Sequence, residues 1–551
     1  MGRVVDRPNL LDTNIQHKVT PQVDAGERGT APDPAGARPV WLRLAIPSVS
    51  DLVFVLLLLA LTCGALAKGL LGDAGIGWHI RTGELILETH AVPRVDSFSS
   101  VMHGQPWYAW EWLYDVKVGY LHGAAGLNGV VAYSAFIIAL TFALLYRMML
   151  ARGAHLPVAV LFLLLTLSAS TIHFLARPHL FSWLFVVAWF GVLEKFETDG
   201  NRRWLAWLPV TVLLWVNVHG GFLLGLVLLG IYFASAVLTA WTSGMDAGRK
   251  AALRRARVLV IAGVVSAAAT FANPYGYKLH VHIYRYLGDR FLMNHIDEFL
   301  SPNFHGLPQK CFAVLVLIAV AAAAGSRKRV RLSQLLVMLF AIYSGVYASR
   351  NIPTSAILLA LIVAPQVSGM LREMADDPDA REGWRRKLVR FDRFSTRMSA
   401  FDGGLAGHLW AAVALVLLIW ACAHHGRVGG AQVMDARFDQ TRFPVKAADV
   451  LAADAGGEAV FCPDRWGGYL VYRLYPKTLV AVDDRHDLYG PEFLERYLKI
   501  VHGEPGWDSD LVGMHPDWVL VPADSTVVSL LEGRGEWRVA YQDSVAVLFR
   551  R

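Results

Sequence analysis

The sequence predicts a polytopic α-helical membrane protein of about eleven transmembrane helices, followed by a small C-terminal α/β domain. Three observations lead there. Of 551 residues, 55% are hydrophobic and 18% charged, whereas soluble globular domains carry about 25% charged residues. Apolar runs near the roughly 20 residues of a spanning helix recur along most of the chain. Lysine and arginine fall in alternate connections between those runs, the pattern of the positive-inside rule.

In chain order, residues 1–50 are rich in Pro, Gly and Ala, lack an apolar stripe, and are expected to form a disordered cytoplasmic tail. The first apolar run begins at Leu52 and is followed by Lys68 instead of a small-residue cleavage site, so it reads as a retained helix and not a cleaved signal peptide. The transmembrane domain is expected over residues 51–425. Its longer runs are Leu52–Leu71, Gly126–Leu150, Leu156–Leu175, Leu223–Thr242 and Leu405–Ala423. Shorter ones are Leu180–Leu193, Trp204–Val218, Val258–Ala272, Cys311–Gly325, Leu332–Ser349 and Ile352–Val367.

With the N-terminus cytoplasmic, Arg147, Arg152, Lys195, Arg249, Arg255, Lys328, Arg331 and the basic stretch Arg372–Arg397 share the cytoplasmic side, as mostly bare charge. The formal net charge of +7 therefore reads as topology and contact with anionic membrane lipids, with no nucleic acid expected as partner. Cys63, Cys311 and Cys422 lie in spans and Cys462 stands alone, a usage that speaks against a disulfide framework and makes Cys462 labelling a test of orientation.

The last span exports residues 426–551, where AVFC, TLVAVD, WVLVP and VAVLFR alternate with helical stretches in an α/β pattern. Asp483, Asp484, Arg485 and Asp487 follow a strand there. Their plain reading is a solvated strand end; the other is an acceptor-binding rim.

The exported loop over residues 72–125 is too long and too rich in polar and aromatic residues to be a mere connector. Asp73 stands where a helix begins and suits an N-cap as well as a catalytic base. Glu111 and Asp115 lie four apart and share a helical face, although Asp115 has Lys117 and solvent as ordinary partners. Trp78 and His79 sit on an amphipathic stretch expected to lie along the membrane surface.

Orientation brings further motifs to the same side: ARPH at 176–179, NVHGG at 217–221, ANPYGY at 272–277, NHIDEF at 294–299 and SRNIP at 349–353. Arg177 and Arg350 each neighbour a proline at a span boundary, where an arginine either snorkels to headgroups or presents a fixed guanidinium to phosphate. His219 and Asn217 either bond between helices or join the site. The candidate catalytic residues are Asp73 and Glu111, and the candidate substrate-binding residues are His79, Arg81, Arg177, His179, His219, Glu298 and Arg350.

Carboxylates and arginines at an exported membrane face suit a lipid phosphate donor and a hydroxyl acceptor. A polyprenyl phosphate keeps its tail in lipid while its phosphate meets arginine; a carboxylate serves as general base on the acceptor.

These features together resemble the GT-C superfamily of integral membrane glycosyltransferases, which includes protein mannosyltransferases, aminoarabinose transferases and oligosaccharyltransferase catalytic subunits. More closely, DAGIGWHIRTGELILETHAVPRVDSFS, then GQPWYAWEWLYDV, ARPH, NVHGG and RNIP are similar to a bacterial branch with this layout, over nearly the whole chain from about Asp51. The resemblance implies a GT-C-like transmembrane domain in the bacterial inner membrane and inverting transfer of a sugar from a polyprenyl-phosphate donor to a glycan, lipid or protein acceptor. It places Asp73 as the first-loop catalytic acid and leaves a divalent metal ion open as a cofactor. In that branch the segment often reads like DPDLWWH; here Gly75 and Gly77 replace the second acid and the first tryptophan. That departure weakens a paired-carboxylate metal site and leaves Glu111 as the candidate second carboxylate.

Two other classes compete. A transporter or flippase of lipid-linked intermediates usually places ionisable groups inside its spans, and these spans are nearly free of Asp and Glu. A non-catalytic GT-C-like component of a polysaccharide or envelope assembly system fits the loss of the acid at Gly75.

Overall fold

The computed structural model describes residues 40–551 apart from positions 65, 245, 246, 328, 329, 380 and 406. The expected tail lies outside the described residues up to position 39, as do Lys328 and Arg329. Among the described residues, seven helices are long and apolar enough to cross a membrane, or up to eight if the bent pair Glu382–Gly403 and His408–Ala423 forms one span. This is fewer than the eleven expected from apolar runs. The other runs do form helices, but Trp207–Trp215 has 9 residues, Leu332–Tyr347 has 16, and Ala247–Ala269 carries a strongly basic first half. The protein is a multipass membrane protein whose helices expose Leu56, Leu164, Val264, Leu317 and Ile419 on their outer faces.

The first span runs over Arg43–Thr62, displaced toward the N-terminus from the apolar run. Within it, helix Val49–Thr62 starts at a reciprocal cap: Ser48 Oγ accepts from the Asp51 N–H, and Asp51 Oδ2 accepts from the Ser48 N–H at 2.9 Å. The helix Trp112–Ala151 has 40 residues, about 60 Å, roughly twice a bilayer core. Its backbone breaks at Gly126, where φ is 60°, so the apolar part begins where the sequence places it and the part before Gly126 continues the first loop. Helix Ile352–Asp376 is buried over most of its length and packs against Leu156–Ser170, Leu307–Gly325 and Leu332–Tyr347.

Helix Gly75–Thr89 lies directly on Trp112–Ala151. Contact is so close that a Cβ on Gly119 would stand 2.6 Å from the Gly83 carbonyl carbon. Small residues let helix backbones approach in this way. His79 and Asp115, each four residues before one of these glycines, consequently face each other.

The C-terminal region holds a five-stranded sheet in the order Leu479–Val480, Ala459–Phe461, Trp518–Pro522, Ala546–Arg550, Arg538–Gln542. The first three strands are parallel and the last two antiparallel to their neighbours. Its outer edge is covered by the first loop: Ser99 bridges Val480 in parallel, and the Ser100 N–H donates to the Val480 carbonyl at 2.7 Å.

Two expectations change here. Asp483 and Arg485 are buried, not solvated. Arg485 lies between Asp483 (2.6 Å) and Asp96 of the first loop (2.7 Å), with its guanidinium 4.6 Å from the Trp107 ring centre. This ion cluster clamps the two regions together. Cys462 is also fully buried, so its labelling does not report orientation.

The connections read as bare charge also differ. Glu194, inside the helix His179–Asp199, accepts from Arg152, Arg331, Gln334 (2.9 Å) and Tyr232 (2.6 Å). Arg152 and Arg331 thus neutralise a buried acid that joins four helices.

Candidate active site

Asp73 sits just before helix Gly75–Thr89, and its Oδ1 accepts from the Gly75 N–H at 2.7 Å, so it holds the helix start as an N-cap would. The same oxygen accepts from Arg177 Nε at 2.9 Å. Among the described residues, Oδ2 accepts no hydrogen bond and the side chain is 29% exposed. Arg177 also pairs with Asp484 Oδ2. One guanidinium therefore bridges two carboxylates, one from the first loop and one from the C-terminal region.

Sequence reasoning named Asp484 only as part of a rim. The tertiary structure makes it a wall of the site, with its Oδ1 accepting from Trp78 Nε1 at 3.0 Å. Gly75 has its reason here. A Cβ at that position would overlap the Arg177 guanidinium and crowd Asp484. Its place as a second acid is thus taken in space by Asp484. Burial pushes the Asp484 carboxyl up to about 6, Arg177 working against the rise and Asp73 and Asp483 adding to it.

Behind this pair lies a buried chain of acids and imidazoles. His79 is 1% exposed, and Trp78 is buried too, so neither lies along the membrane surface. His79 Nδ1 is 2.6 Å from Asp115 Oδ1, and Asp115 is fully buried, far from the ordinary Lys117 pairing. Glu111, the N-cap residue of the long helix, has one oxygen 3.7 Å from His79 Nε2 and the other 3.7 Å from His219 Nε2.

The tautomer of His219 follows from its partners. His219 Nδ1 accepts from the Gly221 N–H at 3.0 Å and from Ser182 Oγ at 2.7 Å, because Ser182 itself accepts from Trp215 Nε1. The neutral His219 ring thus carries its proton on Nε2, toward Glu111. His79 Nδ1 and Asp115 Oδ1 share one hydrogen bond, and His79 Nε2 faces the other Glu111 oxygen.

Burial pushes Glu111 up to about 8, with Arg177 and Arg350 opposing and Asp487 and Glu298 adding to the rise. It holds His79 well below the usual histidine range and lowers His219 to about 3, in each case helped by the nearby arginines. At neutral pH Glu111 is therefore a protonated acid between two neutral imidazoles.

Arg350 pairs with Glu298 at 3.2 Å and lies over Phe299, so it does not snorkel. Burial opposes charge on Glu298, but Arg350 and Arg177 prevail and hold its carboxyl down to about 2. His179 lies 6.5 Å from His219 ring to ring, and its Nε2–H donates to the His173 carbonyl at 2.9 Å. Asn217 has the plain role, joining Trp112 Nε1 and the Ala272 carbonyl.

Asp73, Glu111, His79, Arg177, His179, His219, Glu298 and Arg350 thus converge. Arg81 stands apart, bonding Glu84 and the Tyr472 carbonyl where the C-terminal region docks. Asp487 adds a further acid, 2.9 Å from His282.

Among the described residues no group of three or more His, Cys, Asp and Glu could hold a metal ion, and Arg177 supplies the positive charge between Asp73 and Asp484.

No protein-family model and no curated protein matches the chain. Among solved structures, the chain is similar to an Archaeoglobus fulgidus oligosaccharyltransferase tethered to an acceptor peptide containing the NVT sequon. The TM-score is 0.51 at 11% identity, over 88% of this chain and 69% of that one. It is also similar to ArnT from Cupriavidus metallidurans bound to undecaprenyl phosphate, with a TM-score of 0.45 at 14% identity over 91% and 96% of the two chains. The mycobacterial arabinofuranosyltransferase AftD gives 0.48 at 15% identity over 91% and 41%. The first of these carries the fold assignment: over most of its length the chain shares the fold of the archaeal oligosaccharyltransferase.

Proposed function

We propose that the protein is a membrane glycosyltransferase that moves a sugar from a polyprenyl-phosphate donor to a glycan, lipid or protein acceptor at the exported face of a bacterial inner membrane. The observation that carries this reading is the meeting of Asp73, Arg177 and Asp484 at one end of a GT-C bundle, beside the buried Glu111 pair of imidazoles. The shared fold of the archaeal oligosaccharyltransferase, which is tethered to an acceptor peptide, supports a transferase reading.

In the proposed reaction the acceptor hydroxyl attacks the anomeric carbon in line with the departing phosphate. The new C–O bond forms as the bond to phosphate breaks, the polyprenyl phosphate leaves with the electron pair, and the configuration inverts. Asp73 takes the hydroxyl proton on its open Oδ2, its other oxygen being held by Arg177 and the Gly75 N–H. Glu111, protonated at neutral pH, donates a hydrogen bond to a substrate oxygen.

In this reading the N-terminus is cytoplasmic, residues 51–425 form the transmembrane domain, and residues 426–551 are exported. A cysteine at the exposed Lys477, in a Cys63→Ser background, reports the orientation; labelling from the cytoplasmic side alone would reverse it.

The direct test is analysis of glycans and lipid-linked intermediates in a deletion strain complemented with wild type or Asp73→Asn. The variant is expected to abolish product at unchanged protein level and membrane insertion. Normal product from Asp73→Asn refutes the base, and normal glycans in the deletion strain itself leave the non-catalytic reading in its place.

A further inference from the structure

Both arginines that sequence reasoning reserves for phosphate are already neutralised: Arg177 by Asp73 and Asp484, Arg350 by Glu298. A phosphate arriving at either meets a guanidinium whose charge is already balanced by carboxylate. One cation beside Asp73 carries no such burden. Arg442 comes from the segment that leads into the C-terminal sheet, and among the described residues its guanidinium forms no hydrogen bond or ion pair. It is exposed and lies against the backbone just before Asp73: a Cβ on Gly72 would stand 2.9 Å from Arg442 Nη1.

Arg442 and Asp73 line one cavity of about 440 Å³. Its remaining wall is made by the link after the first span, including Leu66 and Gly72, and by the end of the Leu156–His173 span with the residues just after it, including Ile172 and Leu175. Both stretches lie at the ends of spanning helices, and Leu66 is 47% exposed. The cavity thus has a polar end at Asp73 and Arg442 and an apolar side at the ends of two spans. Lys68 stands on the first link, and it and Arg442 act on the same exposed acid, Asp439.

We propose that this cavity seats the phosphate of a polyprenyl-phosphate donor against Arg442, with the prenyl chain leaving past Leu66 and Ile172 into lipid. The inference rests on the transferase reading and adds to it a phosphate ligand from outside the helical bundle. A guanidinium grips phosphate bidentately, and a chain lying along the span ends keeps its apolar surface out of water. Asp73 then borders the sugar end of the donor. Docking of the C-terminal region becomes part of donor capture, because the same segment that delivers Arg442 has its carbonyl held by Trp466 Nε1 at 2.9 Å.

The test uses the full chain in detergent micelles and three probes: a polyprenyl monophosphate, the polyprenol of equal length, and inorganic phosphate. Wild type is expected to bind the monophosphate at least about tenfold more tightly than the polyprenol, the scale of a charge-assisted contact. Arg442→Gln is expected to lose that preference while binding polyprenol as before, and Arg442→Lys to keep part of it, which separates loss of charge from loss of fold.

A preference retained in Arg442→Gln overturns the cavity assignment and leaves the transferase reading intact. Equal binding of monophosphate and polyprenol by wild type overturns both. Displacement of the lipid by an equal concentration of inorganic phosphate assigns the subsite to free phosphate and overturns the lipid source.

Discussion

Replacing Gly75 by aspartate restores the acid that the similar bacterial segment carries, and sequence logic alone expects it to help. The structure demands the opposite result. A Cβ at Gly75 would overlap the Arg177 guanidinium, which is already held by Asp73 and Asp484. Relieving such overlap in a packed setting costs about 1–3 kcal/mol. The new carboxylate would also stand beside Asp484, and two like charges about 4 Å apart repel by about 4 kcal/mol at an effective dielectric of 20, part of which solvent screens at this partly exposed site. Arg177 is expected to leave Asp73, which loses its orientation.

Product formation should fall at least about tenfold, since 1.4 kcal/mol is already a factor of ten. The assay is product yield in the complemented deletion strain, with membrane level and melting temperature measured in parallel. Gly75→Ala isolates the steric part and is expected to be damaging but milder. Gly75→Asp combined with Asp484→Gly removes one acid for the one added and should recover part of the loss. Wild-type yield from Gly75→Asp alone would refute the claim that Asp484 fills the missing position.

Two further outcomes follow from the buried charges. Arg485→Met leaves Asp96 and Asp483 as buried, unpaired carboxylates, which should cost about 3–5 kcal/mol and free the C-terminal region to early proteolysis; unchanged cleavage kinetics would argue against the clamp. Glu111 has a carboxyl raised from 4.5 to about 8, so the folded protein keeps a proton there that the unfolded chain has lost. Its contribution to stability is accordingly full below about pH 4.5 and declines as pH rises toward about 8, by up to about 1.4 kcal/mol per pH unit. Glu111→Gln should remove this slope from a melting-temperature series, and an identical slope in the variant would contradict the assignment. Activity that uses protonated Glu111 should likewise decline above about pH 8 in wild type.

The chain separates two kinds of acid at one site. Asp73 is partly exposed and opens onto a cavity, whereas Glu111 and Asp115 lie buried behind it with two histidines. Environments that differ this much let one carboxylate take a proton while another keeps its own. Arg177 links the two zones, since its charge acts on His79, Glu111, His219 and Glu298 as well as on its direct partners.

Hydropathy and basic-residue spacing determined the class of this protein, because a bilayer tolerates only long apolar segments and arginine resists crossing it. The same reading located the loop with Asp73, Glu111 and His79, since polar and aromatic density in a long connection is a local property. Helix ends were less legible: the Ser48 cap starts helix Val49–Thr62 ahead of the apolar run, and isolated apolar runs such as Trp204–Val218 did not reveal how short their helices would be.

What only the tertiary structure decided are the pairings across hundreds of residues. Asp484 meets Arg177 and Trp78, Arg485 meets Asp96, Glu194 gathers Arg152 and Arg331, and Arg442 borders Asp73. No periodicity records such contacts, because they depend on where backbones cross, as the touching glycines 83 and 119 do for His79 and Asp115. Gly75 shows the limit most plainly: along the chain it is a missing acid, and in space it is the room that Arg177 and Asp484 require.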